Sequence, residues 1–233
     1  MMIFFILLKV CKQRESRGWG RILKNRSFVF LIIAVLIAVY TSIKVAIHST
    51  FGMDDYAAGL FAHVPHTAIP FFIQVSALGD KIGIGIVALF MLAWLLLKKR
   101  NFAGGAMLAL SIALANELYK ILKDWFVRPR PDLEHLVQVE SYSYPSGHAL
   151  VGMVLYFTAA YLLIEGIKSK LAKWLIALLA VVILLLIGAS RIFLQVHYLS
   201  DVLGGYALGF IWAVIWIFFY HSFKQRYTKM RPS

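Results

Sequence analysis

What most constrains this chain is the recurrence of long apolar runs, each near the roughly 20 residues a helix needs to cross a bilayer. Six such runs occupy about 28–47, 82–97, 102–122, 148–165, 171–190 and 200–220. In hydrocarbon, every backbone N–H and C=O has to be satisfied within its own segment, so runs of this length are expected as helices. The expected fold class is all-α: a polytopic membrane protein built as a six-transmembrane-helix bundle over residues 28–220. A soluble globule is excluded by the same runs and by a composition that is 61% hydrophobic.

A net charge of +13 raises the question of nucleic acid. The positions of the 24 basic residues answer it: 17 fall at Lys9–Arg26, Lys98–Arg100, Lys168–Lys173 and Lys224–Arg231. Those segments are the N-terminus, alternate loops and the C-terminus, which the positive-inside rule assigns to the cytoplasm. The charge therefore reports topology, with both termini cytoplasmic, and no nucleic-acid partner is expected. Residues 1–27 are expected to be a basic arm lying in the inner interface, and 221–233 a cytoplasmic basic tail. Cys11, the single cysteine, excludes an internal disulfide and a cysteine-based metal cage. Nothing in the sequence sets the oligomeric state.

Two loops are long. Residues 48–81 are apolar but broken by Pro65 and Pro70, so they are expected either as a segment resting on the outer leaflet or as a folded cap over helix ends. Residues 123–147 are charged and carry Arg128-Pro129-Arg130-Pro131 and Pro145-Ser146-Gly147. Asn116, Glu117 and Lys120 interrupt the third run and are expected to face the bundle interior or its mouth. Gly205 and Gly209 have a GxxxG spacing, read as close packing inside the bundle.

The polar residues that carry chemistry gather at run ends. Lys123 closes the third run, His148 opens the fourth, Arg191 closes the fifth and Asp201 opens the sixth. Four helix ends are thus expected to meet at one external face and form the active site there. Phosphoryl transfer is catalysed mainly by positioning and by stabilising charge on the phosphoryl oxygens. Arg130 and Arg191 can grip those oxygens bidentately, Lys123 acts as a point charge, and Ser146 adds a hydroxyl. Gly147 admits close backbone approach at a helix start that favours anions. His197 and Asp201, four apart, can share a helical side, so that the carboxylate orients an imidazole as nucleophile. His148, on another helix, is then available as general acid. Taken singly these residues are not diagnostic: a lone interfacial histidine is usually just polar surface, and Lys123 or Arg130 alone would as readily meet a lipid headgroup. His48, His63, His66, His135 and His221 have no comparable partners. Glu117, Lys120, Asp124 and Arg128 read as ion-paired structure near the mouth.

Three spacings together are specific. Lys123 followed after six residues by Arg130-Pro131, then Pro145-Ser146-Gly147-His148, then Ser190-Arg191, five residues, His197, three residues and Asp201, resemble the three-part signature of the type 2 phosphatidic acid phosphatase superfamily. The six-run layout is similar to its integral-membrane lipid phosphatases, above all the bacterial phosphatidylglycerophosphate and undecaprenyl-diphosphate phosphatases. The resemblance implies a metal-independent, cofactor-free lipid phosphatase or diphosphatase acting on a membrane lipid phosphate. His197 would be its nucleophile, Asp201 the orienter and His148 the acid. Lys123, Arg130, Ser146, Gly147, Ser190 and Arg191 would hold the phosphate. Tyr144 stands where phenylalanine is frequent, and Gln195 where glycine is frequent, a change expected to touch the pocket wall. Two other functions fit less well. A vanadate-dependent haloperoxidase of the same superfamily would be soluble. The other alternative is a transporter or lipid-phosphate binding protein, but transporters usually place polar residues near mid-membrane, whereas here they gather at helix ends, with Glu117 and Asn116 the main exceptions.

Overall fold

The structure, a computed structural model, describes residues 27–229 apart from 50, 63 and 134. The expectations for the N-terminal arm and Cys11 lie outside the described residues. Among the described residues eight α-helices follow one another: α1 (Ser27–Ala46), α2 (Gly52–Ala62), α3 (Ile69–Ala77), α4 (Lys81–Ala93), α5 (Phe102–Phe126), α6 (Gly147–Ile164), α7 (Lys170–Phe193) and α8 (Leu199–Lys229). A 3-10 turn, His66–Ala68, leads into α3, and a π-helical turn, Trp94–Lys98, extends α4.

Six of these elements, α1, α4 with its π turn, α5, α6, α7 and α8, are long and apolar enough to cross a membrane. They coincide with the six runs of the sequence. The second run is short, and the π turn completes it to Lys98. The sixth overruns its expected end at 220, because α8 continues unbroken to Lys229 and takes in most of the expected tail.

The helix α6 is the centre. It is apolar on every side, the pattern of a helix enclosed by others rather than one with a lipid face. Its spanning window is 83% buried, against 22% for α1 and 17% for α4. Around it pack α5, α7 and α8, with α1 laid against α8 and α4 against α5. The outer helices keep their large apolar residues exposed, among them Leu36, Leu89, Phe90, Leu97 and Leu185, as a surface in contact with acyl chains requires. Polar tips inside the bundle are bonded: Tyr156 donates to the Leu78 carbonyl at 2.8 Å and Trp212 to the Ser111 carbonyl at 2.9 Å.

Between the first two spans, residues 48–81 form the folded cap of the two expected alternatives. Helices α2 and α3 pack on the ends of α7 and α8. Pro70 sits in the first turn of α3, where its missing N–H costs nothing. The anchor is aromatic: Phe72 stacks on Phe193 with centroids 4.1 Å apart, and Phe61 meets the same ring edge-on at 6.3 Å. The cap is thereby held against the end of α7 that carries Arg191.

The polar residues of the third run divide. Asn116 lines a cavity at the helix ends and donates to Glu117 at 3.0 Å. Glu117 and Lys120 do not: they stand exposed on α5 and neutralise each other at 2.7 Å, an i, i+3 pair. Asp124 is exposed outside these pairs.

Gly205 and Gly209 do the packing expected of their spacing. A Cβ on Gly209 would lie 2.4 Å from the Leu150 carbonyl oxygen, and one on Gly205 would lie 2.8 Å from that of Ser146. Only glycine lets α8 approach the start of α6 this closely, and the two helix ends are then joined by the Ser146 N–H donating to the Asp201 carbonyl at 3.1 Å. Gly209→Ala is expected to cost about 1–3 kcal/mol by overpacking against rigid backbone. Thermal unfolding in detergent checks this, with Gly59→Ala, which meets open space, as the silent control.

Candidate active site

Four helix ends converge on a cavity of about 770 Å³ whose wall includes Lys123, Arg130, Gly147, His148, Arg191 and His197. Each is placed by its element. Lys123 is in the last turn of α5, and Val127 then ends that helix in the left-handed region at φ 48°, turning the chain into the Arg128–Pro131 loop. His148 is in the first turn of α6, whose N-cap is Ser146. Arg191 closes α7, and His197 sits in the turn before α8.

The three phosphate-type cations share one property. Lys123 donates to the Ser141 hydroxyl at 3.0 Å and the Tyr142 carbonyl at 2.5 Å. Arg130 donates to the Ser141 and Val196 carbonyls at 2.7 and 2.5 Å. Arg191 donates to the Ser76 hydroxyl at 2.6 Å, and its Nε is buried without a partner. Every partner is a neutral oxygen. Among the described residues no carboxylate forms a salt bridge with any of the three. Buried cations cost desolvation that only an opposite charge offsets well, so this cluster is complementary to an anion. Burial also lowers the Arg130 pKa, Asp201 acting against that shift.

His197 and Asp201 are both buried and face each other, Nδ1 to Oδ2 at 3.4 Å. The same Oδ2 accepts from the Ser143 hydroxyl at 2.5 Å and the Tyr198 N–H at 2.9 Å. Nδ1 is therefore the ring nitrogen directed at the carboxylate, and Nε2 is the one left for the cavity. Burial, opposed by the Asp201 hydrogen bond, lowers the His197 pKa to about 3.

Not every residue of the signature reaches the cavity. Ser146, Ser190 and Asp201 are fully buried behind the wall. The Ser146 hydroxyl accepts from the Ala149 N–H at 3.5 Å as the cap of α6, and the Ser190 hydroxyl donates to the Ile187 carbonyl at 2.7 Å. Gln195 is off the cavity wall as well. Its φ of 59° lies in the left-handed region, the backbone reason a glycine suits this position. The added hydroxyl of Tyr144 is bonded to Thr41 and Ser42, both at 2.9 Å.

Five contributors carried no motif: Ser76, Asp54, Ser141, Ser143 and, in its particular role, Arg128. Arg128 is ion-paired structure, but its partners are Asp54 at 2.9 Å and Asp201 at 2.5 Å. The available signal was Asp54 and Asp55 themselves, two carboxylates in an apolar segment, which need a partner to be tolerated there. Elsewhere, His135 bonds the Pro131 carbonyl at 3.0 Å and His221 bonds Tyr161. Among the described residues no three His, Cys, Asp or Glu side chains are grouped so as to hold a metal ion.

This constellation has relatives. A family model described as PAP2 superfamily matches residues 104–227, which include all three signature clusters. The chain belongs to the PAP2 superfamily. It is 36% identical over 129 residues to phosphatidylglycerophosphatase B of Bacillus subtilis strain 168. That match covers 54% of this chain and 61% of the relative's length. The solved transmembrane PAP2 type phosphatidylglycerolphosphate phosphatase from Bacillus subtilis superposes with a TM-score of 0.73 at 26% identity, over 81% of this chain and 96% of that one. Aquifex aeolicus LpxE shares the fold, with a TM-score of 0.58 at 24% identity over 72% and 96% of the two chains. This PAP2 protein is accordingly a multi-pass membrane protein, and the six-helix fold expected from its apolar runs is the fold of its relatives.

The depressed basicity of His197 has a direct consequence. A base whose folded pKa is lowered stays neutral at every pH above that value and is lost only as pH falls through it. Nitrogen chemical shifts of the resting protein, labelled in histidine, should include an imidazole that is still neutral at pH 5 and is absent from His197→Gln. A His197 resonance titrating near 6.5 would contradict the burial argument.

Proposed function

We propose that this PAP2 protein is a metal-independent lipid phosphatase that removes the terminal phosphate of a membrane lipid phosphate or diphosphate through a phosphohistidine. The observation that carries this reading is the set of three cations, Lys123 and Arg191 buried and Arg130 half-buried, held by neutral oxygens around a cavity whose wall also includes two histidines. Lys123, Arg130 and Arg191 receive the phosphoryl oxygens, and Gly147 admits the phosphate beside the N-terminal amides of α6. Ser146 and Ser190 serve from behind the wall, as the cap that aims those amides and as part of the helix end that carries Arg191.

In the first step His197 Nε2 forms a bond to phosphorus while the bond from phosphorus to the lipid oxygen breaks. His148 gives that oxygen its proton. Asp201 holds the ring in the productive tautomer and faces the positive charge it acquires. In the second step water attacks the phosphohistidine and passes a proton to His148. Free phosphate leaves and His197 is restored. One water is consumed, and no redox partner is involved.

The cavity suits a substrate that remains in the bilayer. Beyond its cationic end, the wall continues along α4 and α5 with Ile82, Ile84, Ala88, Ile112 and Ala113. An apolar tail can lie there while the headgroup reaches the cations. The named relatives make phosphatidylglycerophosphate the first substrate to test, with undecaprenyl diphosphate and phosphatidic acid beside it. The arginine- and lysine-rich loops lie at the opposite end of the bundle, so the positive-inside rule puts the site on the extracytoplasmic face and the C-terminus in the cytoplasm.

Purified protein should release phosphate from these three lipids at undiminished rate in EDTA, because the three cations already occupy the charge-stabilising role a divalent ion would fill. His148→Ala should slow turnover, and slow it less as the leaving group improves, since a good leaving group needs little protonation. Loss of activity in chelator with recovery on adding magnesium, or a His148 effect independent of leaving group, would contradict the mechanism.

Topology is checked separately. In a Cys11→Ser background, a cysteine at Asp132 should react with an impermeant thiol reagent on intact cells. Reaction only after lysis would reverse the orientation.

A further inference from the structure

Arg128 and Arg130 are two residues apart in one loop, yet their surroundings are opposite. Arg130 is held by carbonyls, whereas Arg128 bridges two buried carboxylates. Its Nη1 donates to Asp201 Oδ1 at 2.5 Å and to the Ser200 hydroxyl at 2.7 Å, and its Nη2 donates to Asp54 Oδ2 at 2.9 Å. Asp54 in turn accepts from the Ser200 N–H at 2.8 Å and the Ser200 hydroxyl at 2.7 Å. The guanidinium lies over the rings of Tyr198, at 4.2 Å, and Phe51, at 5.3 Å. Asp54 belongs to α2, so the cap reaches the carboxylate behind His197 through one arginine.

The charges explain why a second carboxylate is useful. Arg128 facing Asp201 alone would form a neutral pair, and little negative charge would remain for the imidazole. With Asp54 included, the trio carries one net negative charge, deep in a site where water screens poorly. That charge is needed when His197 becomes a cationic phosphoimidazole. The two oxygens of Asp201 are also divided, with Oδ1 taken by Arg128 and Oδ2 left to Ser143, Tyr198 and His197. We infer that Asp54 is a positioning residue of the reaction: acting through Arg128 from the cap, it fixes Asp201 and keeps a net negative charge behind the nucleophile. This rests on the reading of His197 as nucleophile.

The test is a set of variants of the full chain, assayed in detergent on dioctanoyl phosphatidic acid, with kcat normalised to folded protein. Asp54→Asn keeps the shape and the acceptor for the Ser200 N–H but removes the charge. It should lower kcat about tenfold, the scale at which groups behind a functional imidazole act, with KM within about twofold. In an Asp201→Asn background the same change should move kcat by less than about twofold, because the route from Asp54 to His197 is already cut. Asp54→Asn/Arg128→Gln, which removes both charges and leaves Asp201 with its own, should recover kcat several-fold over Asp54→Asn. It also serves if Asp54→Asn alone does not fold, since Asp201 keeps the Ser143 hydroxyl, the Tyr198 N–H and His197 as partners; its kcat should then remain within about tenfold of wild type. An Asp54 effect of equal size in both backgrounds, a double variant slower than Asp54→Asn, or a kcat unchanged in Asp54→Asn would each overturn the inference alone. An Asp201→Asn enzyme as active as wild type would overturn the nucleophile reading, and the inference with it.

Discussion

The site depends on one constraint: positive charge buried at the ends of apolar helices must be held in place without being neutralised. Water cannot solvate these groups, and a carboxylate beside each would satisfy them at the expense of any anionic ligand. The protein divides the task. Lys123, Arg130 and Arg191 are held by Ser141, Tyr142, Val196 and Ser76 through neutral oxygens, so their charge stays directed at the cavity. Of the four cations gathered here, Arg128 is the one that forms salt bridges with carboxylates among the described residues, and it is not on the cavity wall.

The fold follows from that constraint as much as from the bilayer. Helix α6 is enclosed so that its first turn can present His148 at a fixed place, and α8 reaches it through glycines that leave no room for a side chain. The cap is attached by aromatic stacking at Phe193, two residues beyond Arg191, and so delivers Ser76 to the guanidinium. Helix ends thus carry Lys123, His148 and Arg191, and Arg130 is fixed from its loop by the Ser141 and Val196 carbonyls, which is the kind of pre-organisation that charge stabilisation requires.

The bundle was legible in the sequence because a membrane span is a local property: about 20 apolar residues declare it whatever lies elsewhere. The cationic and histidine positions were legible because their spacings are specific and fall at run ends. The partners were not. Ser76 meets Arg191 across 115 positions and Asp54 meets Ser200 across 146, and a serine or aspartate in a loop carries no mark of so distant a contact. Nor could spacing tell that the hydroxyls of Ser146 and Ser190 turn back onto their own helices, a choice made by local backbone geometry. Gln195 shows the reverse case. It does not line the cavity wall that it was expected to touch, and its left-handed backbone suits the glycine that is frequent there.

The central claim is that His197 becomes covalently phosphorylated, and it can be met head-on. Protein quenched during turnover of phosphatidic acid carrying a radiolabelled phosphate should hold an acid-labile, base-stable label, the stability of a phosphoimidazole and the reverse of a phosphoserine. His197→Ala should hold none and lose turnover by several orders of magnitude. A wild-type enzyme that never acquires label, together with near-normal turnover in His197→Ala, would contradict the account and return His197 to a structural residue.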